Sequence, residues 1–337
     1  MQEDGYYMND DFKAYVVRED KKGNFSANIE TKKFDELPPH EITIKVKYSS
    51  LNYKDALSSL GNKGVTKKYP HTPGIDAAGI VISSNSEKFS KDDKVVVTGY
   101  DLGMNTFGGF SEYICVPSDW VIKLPDSISL KYAMAIGTAG LTAGLCVDLL
   151  KNNNGIKNKQ AIVTGSSGGV GSIAIQLLSN LGADVTAVTG KNKSKEFISN
   201  LGAKTIISHD ELIKKFRQPL SKGVYDICVD VVGGEILSGL LTCMNRDGVI
   251  ACCGNVGGAN FNTSVFPFIL RGNRLIGVDS AERDLKQKEW LWDMFSTDWK
   301  LDNINKFART VGFNELEFEI QKIYEGKQTG RVIVSID

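Results

Sequence analysis

The sequence predicts an α/β protein with two parts, a β-rich, barrel-like unit followed by a doubly wound parallel sheet. Residues 1–125 contain short strand-like runs separated by clusters of Gly, Pro, Asn, Asp and Ser. From residue 159 onward, strand-like runs alternate with segments of helical periodicity, as in a parallel sheet covered by helices. A glycine-rich turn at residues 165–171 joins the first of these strands to the first helix. A chain of 337 residues is long enough for about two such domains.

In the first part, four runs have the β-branched and aromatic content of strands. These runs are FKAYVVRED (12–20), EITIKVKYSSLN (41–52), DAAGIVISS (76–84) and DKVVVTGY (93–100). The pattern then changes, because LKYAMAIGTAGLTAGLCVDLLKNN has apolar residues at helical spacing and few β-branched ones. We therefore predict a long helix over residues 130–153.

The second part predicts six strands and the helices between them. The strands are 159–165, 183–190, 203–209, 225–232, 248–254 and 274–280. The helices are 170–182, 193–202, 210–216 and 234–244, with a closing helix at 288–300. Such alternation implies right-handed crossovers and a parallel sheet. The tail, 318–337, predicts a helix, a turn and a strand that can return to the first part.

The composition argues against several classes of function. Lys+Arg and Asp+Glu number 40 each, so no basic excess indicates nucleic acid. The acidic N-terminus lacks the pattern of a signal peptide, and we find no apolar run of the ~18 residues that span a bilayer. We expect a cytoplasmic protein without membrane contact, in which Met8 can be an alternative start and residues 1–7 an extension.

The six cysteines form no C-x-x-C pair, and most lie in apolar runs. They predict buried thiols in a reducing compartment. The neighbours Cys252 and Cys253 leave two interpretations open, a redox pair or the buried end of a strand.

The glycine turn predicts a dinucleotide site. Gly168 lets the backbone approach a pyrophosphate and Gly171 lets the helix pack on the sheet, with the phosphates at the helix N-terminus. The second strand ends in Thr189, Gly190 and Lys191, where an acidic residue would bind a ribose 2′-hydroxyl. Lysines there can neutralise a 2′-phosphate, so we expect NADPH. The alternatives are a structural turn and a solvated helix start.

The ligand types for zinc are scarce in the first part of the chain. The histidines are His40, His71 and His209, and no cysteine lies close to either of the first two in the sequence. Because catalytic zinc needs three converging ligands, we expect no metal. Hydride transfer without a metal suits an activated C=C bond or a quinone better than an alcohol.

Several motifs in order resemble the medium-chain dehydrogenase/reductase superfamily, in its zinc-free, quinone-oxidoreductase-like branch. They are SSLNYKDALSSLGNKG, YPHTPGIDAAGIV, GTAGLTA, TGSSGGVGS, PFILRGNRLIGVDS and TGRVIV. The set is most similar to the acrylyl-CoA reductase subfamily, and it covers the chain from about Phe12. Zinc members begin the segment matching Leu51 with Cys, and have Gly-His-Glu where this chain has Gly74, Ile75 and Asp76.

The resemblance implies a GroES-like β-barrel catalytic domain and a Rossmann cofactor domain with the active site in the cleft between them. The expected boundaries are 1–125 and 298–337 for the catalytic domain, and 126–297 for the NADPH-binding domain. It also implies a homodimer, for which the strand RLIGVDS can pair with its copy.

The resemblance further implies cofactor contacts at matching positions. These are Tyr53, Ser167, Gly168, Gly169, Val170, Thr189, Gly190, Lys191, His209, Asn255, Ile269 and Ser280. Relatives carry Arg at the position of His209 and can have Leu at that of Asn255. We add Arg331 of TGRVIV as a further expected cofactor contact.

For a C=C reductase, a donor must meet the enolate oxygen and a proton must reach the α-carbon. Asn52 and Tyr53 are the expected catalytic residues, and packing against the cofactor is the alternative for Tyr53. Lys54 and Asp55 are expected as an exposed pair or as turn residues. Arg271 can bind a phosphate or cap a helix.

A CoA ester would bring phosphates that the loop lysines can meet, although a solvated loop is the alternative. These lysines are Lys63, Lys67 and Lys68. The expected function is reduction of an enoyl-CoA, with an NADPH:quinone reductase as the second possibility and a non-catalytic NADPH-binding or nucleic-acid-binding protein as the third.

Overall fold

We analysed a computed structural model, which describes residues 11–216 and 218–336. The possible second start at Met8 and the extension at residues 1–7 lie outside the described residues. Within them, the strands form a six-stranded sheet, a seven-stranded sheet and a two-stranded ribbon.

The helices and strands are given in chain order. The strands are β1 Phe12–Glu19, β2 Phe25–Lys32, β3 Ile42–Leu51, β4 Asp76–Ser84, β5 Lys94–Thr98, β6 Tyr113–Val116, β7 Val121–Lys123, β8 Gln160–Val163, β9 Asp184–Val188, β10 Thr205–Ile207, β11 Tyr225–Asp230, β12 Met244–Cys252, β13 Arg274–Gly277, β14 Ala308–Gly312 and β15 Arg331–Ser335. The α-helices are α1 Tyr53–Ser59, α2 Leu130–Asn154, α3 Gly169–Asn180, α4 Lys195–Asn200, α5 His209–Lys215, α6 Gly234–Cys243, α7 Phe266–Arg271, α8 Leu285–Ser296 and α9 Leu316–Tyr324.

The predicted β-rich unit is built around β3. The strand order is β14-β15-β3-β4-β5-β7, and β6 also pairs with β3. The C-terminal strand β15 pairs antiparallel with β3, with Val332 opposite Leu51, so the tail does return to the first part of the chain. Because β3 carries Asn52 and Tyr53 directly after its end, this pairing joins the C-terminus to the expected catalytic residues. The exact domain boundaries at 125/126 and 297/298 stay a prediction.

The predicted parallel sheet has the order β10-β9-β8-β11-β12-β13, and its paired strands are parallel throughout. The chain runs outward from β8 on one side and from β11 on the other. In such sheets ligands bind at the carboxyl ends of the strands where the order reverses, which here lies between β8 and β11. The glycine turn follows β8 directly.

The helix α2 joins the two sheets, because it packs against β4 of one and β12 of the other. Contrary to the expectation from sequence, α2 is long and apolar enough to cross a membrane by length and composition. However, 83% of its most apolar window is buried inside the protein, which is the property of a core helix. Its helical geometry breaks at Gly137, whose φ is 50°.

Candidate active site

The glycine turn requires glycine at two positions. Gly165 has a φ of 57°, and a Cβ on Gly171 would lie 2.4 Å from the carbonyl oxygen of Gly165. Gly168 caps α3, and its N–H donates to Gly165 at 2.9 Å. The first N–H groups of a helix have no partner inside it, and the positive end of its dipole lies there. The turn and the start of α3 contain Ser167, Gly168, Gly169 and Val170, whose contact with a pyrophosphate stays a prediction.

The structure brings together the residues expected at a 2′-phosphate. Thr189 Oγ1 accepts a hydrogen bond from the Lys191 N–H at 3.1 Å. The Lys191 Nζ donates to the carbonyl oxygen of Gln328, and burial lowers the pKa of this lysine. A Cβ on Gly190 would lie 3.3 Å from Nδ1 of His209, so the imidazole borders the same place. The lysine thus lies between the end of β9 and the C-terminal segment before β15.

The expected catalytic residues begin α1. Asn52 caps the helix and Tyr53 is its first residue, with 36% of Tyr53 exposed. Asp55 is wholly buried rather than exposed or in a turn, which corrects the expectation for it. Its carboxylate accepts the N–H groups of Asn52 at 2.7 Å and of Ile75 at 2.8 Å, so it fixes the start of α1 to the segment before β4.

Both polar atoms of the Asn52 side-chain amide already have partners inside the protein. Its Nδ2 donates to Asp76 Oδ2 at 2.9 Å and to the Ser50 carbonyl at 3.2 Å. Its Oδ1 accepts from the Arg331 guanidinium at 3.0 Å. Asn52 therefore positions Tyr53, and the expected direct role in catalysis is corrected to this indirect one.

Arg331 lies inside the protein, with 2% of the residue exposed. The guanidinium donates to the carbonyl oxygens of Ala135 and Leu51 and to the side chains of Asn52 and Ser50. Since its donors are engaged there, we correct the expected cofactor contact of Arg331 to a structural one. It still lies directly under the glycine turn, because a Cβ on Gly169 would meet its Cδ at 3.1 Å.

Asp76 is the partner of Arg331 and is also wholly buried. Its carboxylate accepts from Ser50 Oγ at 2.6 Å and from the backbone and hydroxyl of Thr138 at 2.9 and 2.5 Å. Gly137 is needed beside it, because a Cβ there would lie 2.5 Å from Asp76 Oδ2. This network ties β3, β4, α2 and β15 together beneath the cleft.

The residues expected at the nicotinamide lie at the ends of β12 and β13. Asn255 lines a cavity of about 590 Å³ together with Cys252 and Asp279. Ser280 follows β13, and its Oγ lies 2.6 Å from Thr142 Oγ1 of α2. Ile269 lies on α7 with 69% of the residue exposed, and its contact with the nicotinamide stays a prediction.

The remaining candidates have other roles. Arg271 donates to the carbonyl oxygens of Ser221, Thr242 and Met244. Because Thr242 lies in the last turn of α6 and Met244 is its C-cap, Arg271 caps that helix, which is the second of its two expected roles. Cys252 ends β12, and burial raises the pKa of its thiol to about 11. Because redox chemistry needs the thiolate, this favours the strand-end interpretation of Cys252 and Cys253 over a redox pair.

The glycine turn follows β8 at the carboxyl edge of the parallel sheet and leads into α3, which is the arrangement of a nicotinamide dinucleotide site. The fold and this site define the protein as a two-domain, nicotinamide-dependent oxidoreductase.

Comparisons with known proteins identify the family. Residues 38–126 match the family described as alcohol dehydrogenase GroES-like domain, and residues 169–296 match the zinc-binding dehydrogenase family. The acrylyl-CoA reductase AcuI of Ruegeria pomeroyi is 37% identical over 97% of this chain and 99% of its own. The chain belongs to the medium-chain dehydrogenase/reductase superfamily, as its motifs predict.

Solved relatives have the same fold and carry different cofactors. The Escherichia coli protein YhdH with bound NADPH is 36% identical, with a TM-score of 0.92 over 96% of this chain and 100% of that one. The Bacillus subtilis protein YhfP with bound NAD is 37% identical, with a TM-score of 0.93 over 97% of this chain and 100% of that one. In a comparison of sequences, YhfP is 39% identical to this chain over 92% of this chain and 95% of its own. Its provisional name there is quinone oxidoreductase. Relatives of nearly equal similarity therefore differ in the substrate in their names and in whether NADPH or NAD is bound.

Zinc-binding dehydrogenases hold their metal on His, Cys and carboxylate side chains. Within residues 11–216 and 218–336, no group of three His, Cys, Asp or Glu side chains can hold a metal ion. His71 is buried among Tyr69 and Phe107, and burial lowers its pKa. The described residues do not fit zinc, and no step of the chemistry below uses it.

Sequence reasoning missed several residues that build the site. Asp76, Ser50, Gly137 and Thr138 form the buried network, and Thr142 holds Ser280. The GIDAAG and GTAGLTA motifs contained four of these residues, but nothing in their spacing showed that they meet.

Proposed function

We propose that this chain is an NADPH-dependent reductase for the C=C bond of an α,β-unsaturated acyl-CoA thioester of the acryloyl-CoA type. The observation that carries the proposal is the position of Tyr53. Its exposed side chain starts a helix whose cap, Asn52, accepts a hydrogen bond from Arg331, and the Arg331 side chain packs directly beneath Gly169 of the glycine turn. These contacts connect the start of α1, where Tyr53 lies, with the turn at which we propose the pyrophosphate binds, and so support the assignment of Tyr53 to the active site. Similarity to the acrylyl-CoA reductase over nearly the whole chain supports the same reaction.

NADPH is preferred over NADH because of the charge at the end of β9. Lys191 presents a cation there, Thr189 presents a hydroxyl, and no carboxylate is present in the Thr189–Lys191 sequence to repel a 2′-phosphate. The pyrophosphate would be held by the N-terminus of α3, and Ser280 and Asn255 would lie near the nicotinamide.

When bound, the cofactor supplies a hydride to the β-carbon of the thioester. Negative charge then develops on the thioester oxygen, and the α-carbon needs a proton. The Tyr53 hydroxyl is the group we assign to this proton, either directly or through water. Asn52 and Asp55 keep the start of α1 in place, so that the hydroxyl does not have to be ordered during the reaction.

The CoA part of the substrate would meet two of the loop lysines. Lys63 is already paired with Glu19 at 2.5 Å and lies over the ring of Tyr69. Lys67 and Lys68 are exposed on the same loop. We propose these two for the phosphates of CoA, since exposed ammonium groups can bind phosphate oxygens at little desolvation cost.

An NADPH:quinone oxidoreductase is the second candidate, favoured by the provisional name of the Bacillus subtilis relative. A quinone takes the hydride on a ring and needs no CoA contacts. The two candidates differ in whether Lys67 and Lys68 contribute to KM.

A homodimer is part of the proposal. Strand β13 is the edge of the parallel sheet and pairs only with β12 among the described strands. Beside it, α7 exposes Phe266, Ile269 and Leu270. A second copy of the chain suits this surface, because an exposed sheet edge pairs readily with its own copy around a two-fold axis.

Isotope labelling tests the proposed reaction directly. Acryloyl-CoA is incubated with the enzyme and 4-deuterated NADPH in water, and then with unlabelled NADPH in heavy water. We expect propionyl-CoA with deuterium on the β-carbon in the first case and on the α-carbon in the second. Unchanged acryloyl-CoA in both cases would contradict the proposal.

A further inference from the structure

Lys288 is a buried lysine that the proposed reaction does not use. It lies in the first part of α8, and 1% of the residue is exposed. Burial of an ammonium group is costly unless its donors are satisfied. The acceptors around the Lys288 ammonium therefore indicate the role of this residue.

All three donors of the ammonium have an acceptor. Nζ donates to the carbonyl oxygen of Thr98 at 2.8 Å and to that of Ala281 at 2.9 Å. It also lies 3.3 Å from the centre of the Tyr100 ring, which is a close cation–π contact. Thr98 and Tyr100 belong to the barrel, whereas Ala281 lies in the loop that follows β13. The amino group thus joins these two parts of the protein.

The same loop and barrel turn approach each other along their backbones. The Tyr100 N–H donates to Ala281 at 3.1 Å, and the Tyr100 hydroxyl donates to the Arg283 carbonyl at 3.0 Å. A Cβ on Gly99 would lie 3.0 Å from Cα of Ala281. Tyr100 has a φ of 53°, which is uncommon for a residue other than glycine, and its ring stacks on Trp120 at 5.7 Å. The contact is therefore close, and part of its backbone is held in an uncommon conformation.

The loop carries Ser280, whose hydroxyl bonds with Thr142 at the cleft. We propose that Lys288 is a positioning residue, whose amino group fastens the loop of residues 278–283 to the barrel turn at Gly99 and Tyr100 and so holds Ser280 in place. The consequence for catalysis rests on the proposed function, because it assumes that Ser280 lies near the nicotinamide. The fastening of the loop by Lys288 does not rest on the proposed function.

The fastening depends on pH, because the pKa of Lys288 differs between the attached and the detached loop and this difference sets the direction of the effect. Burial lowers the pKa of Lys288 to about 7, while Asp76, Glu282 and Asp279 attract the ammonium and oppose the shift. When the loop detaches, the amine is hydrated and regains its ordinary pKa, so detachment takes up a proton. The attached loop is therefore favoured as the pH rises above about 7, and detachment is favoured as the pH falls toward it.

Hydrogen exchange of the apo protein tests the fastening without substrate or cofactor. The variant Lys288→Met keeps the apolar stem and removes the donors, and Lys286→Met on the same helix, an exposed lysine, is the matched control. In Lys288→Met we expect amides 278–283 to exchange about tenfold faster, as for a lost pair of hydrogen bonds. Lys286→Met should match the wild type.

The pH dependence distinguishes fastening from general packing. After correction for intrinsic exchange rates, protection of the wild-type loop should rise about 30-fold from pH 6.0 to pH 8.5, and that of Lys288→Met should not change. If Lys288→Met does not fold, the wild-type profile decides, and protection of amides 278–283 that does not rise with pH would overturn the proposal. A folded Lys288→Met with wild-type loop protection at both pH values would overturn the proposal.

Turnover then tests the consequence for the reaction. We expect Lys288→Met to lower kcat with acryloyl-CoA about tenfold while the Kd for NADPH stays within about threefold, since the phosphate contacts lie elsewhere. An equal loss in both variants would assign Lys288 no positioning role. A wild type without turnover of acryloyl-CoA would contradict the proposed function and leave the exchange result standing.

Discussion

The carboxylate of Asp76 and the guanidinium of Arg331 lie 3.8 Å apart in the interior, bridged by the side chains of Ser50 and Asn52. Ser50 Oγ donates to the carboxylate and accepts from the guanidinium, and Asn52 does the same with its two amide atoms. The ion pair is therefore completed by neutral groups, as buried charges require. Because Arg331 donates to Asn52 and packs beneath Gly169, the ion pair also connects the start of α1 with the glycine turn.

Removing one charge of this pair should destabilise the protein strongly. For Asp76→Asn we expect a loss of about 3–5 kcal/mol in the free energy of unfolding, because the buried Arg331 then loses the stronger of the two carboxyl charges that attract it. Urea denaturation followed by circular dichroism measures it. Asp126→Asn, at an exposed aspartate, should stay within about 0.5 kcal/mol. A loss below about 1 kcal/mol for Asp76→Asn would mean that the network is not held by this charge.

Lys191 should determine the choice of cofactor. Lys191→Ala is expected to raise KM for NADPH about 10–100-fold, the value of a charge-assisted hydrogen bond, and to leave KM for NADH nearly unchanged. Steady-state kinetics with both cofactors measure this. Lys157→Ala, at an exposed lysine elsewhere on the same domain, serves as the control. Equal changes for the two cofactors would place the 2′-phosphate elsewhere.

Tyr53 can act through its hydroxyl or through its ring, and two variants separate these roles. If the hydroxyl supplies the proton, Tyr53→Phe should lower kcat about 100-fold, the lower end for general acid catalysis, with the Kd for NADPH unchanged. If the ring only packs on the cofactor, Tyr53→Phe should be nearly normal and Tyr53→Ala should weaken NADPH binding. We expect the first result. Rapid-mixing measurements of a single turnover and a separate NADPH titration supply both quantities.

Asp55 should give the protein a pH-dependent stability. Burial raises the pKa of this carboxyl to about 7, against the two N–H groups that it accepts. Because the unfolded chain loses this proton near pH 4, the contribution to stability is complete below pH 4 and is lost as the pH rises to about 7. Relative to Asp55→Asn, the wild type should lose stability over that window, at up to about 1.4 kcal/mol per pH unit. Parallel curves for the two proteins would contradict the assignment.

The exposed face of α7 should control assembly. Ile269→Glu places a charge in the surface that we assign to a second copy, so light scattering should report a monomer where the wild type reports a dimer. Phe318→Glu, another exposed apolar residue, should leave the dimer intact. A wild type that is monomeric at micromolar concentration would remove the basis of the proposal.

Local patterns predicted most of the fold. The alternation after residue 159 gave the strands of the parallel sheet in order, since period and turn residues are set by neighbouring positions. The helix α7 and the strand β14 were missed, because each is short and has little periodicity of its own. The break at Gly137 was missed for another reason, namely that Asp76 and Arg331 occupy the space a side chain would need.

For the residues of the candidate site, too, roles that depend on neighbouring positions could be predicted from sequence, and roles that depend on distant contacts could not. The close packing at Gly171 was predicted correctly, because it depends on a turn that lies beside it in the sequence. The role of Lys191 rests on a strand end in the same local way and stays a prediction. The roles of Asn52 and Arg331 were assigned incorrectly, because they follow from contacts between β3 and β15, which lie at opposite ends of the chain. Lys288 gave no signal, since a lysine near a helix start is ordinarily exposed.

The most direct test of the central claim compares substrates under one set of conditions. The rate of NADPH oxidation is measured with acryloyl-CoA and with a simple benzoquinone, and both are repeated with NADH. We predict a high kcat/KM for acryloyl-CoA with NADPH, and values that are orders of magnitude lower for the quinone and for NADH. Turnover of the quinone alone would contradict the account and establish the chain as a quinone reductase whose loop lysines are solvated surface.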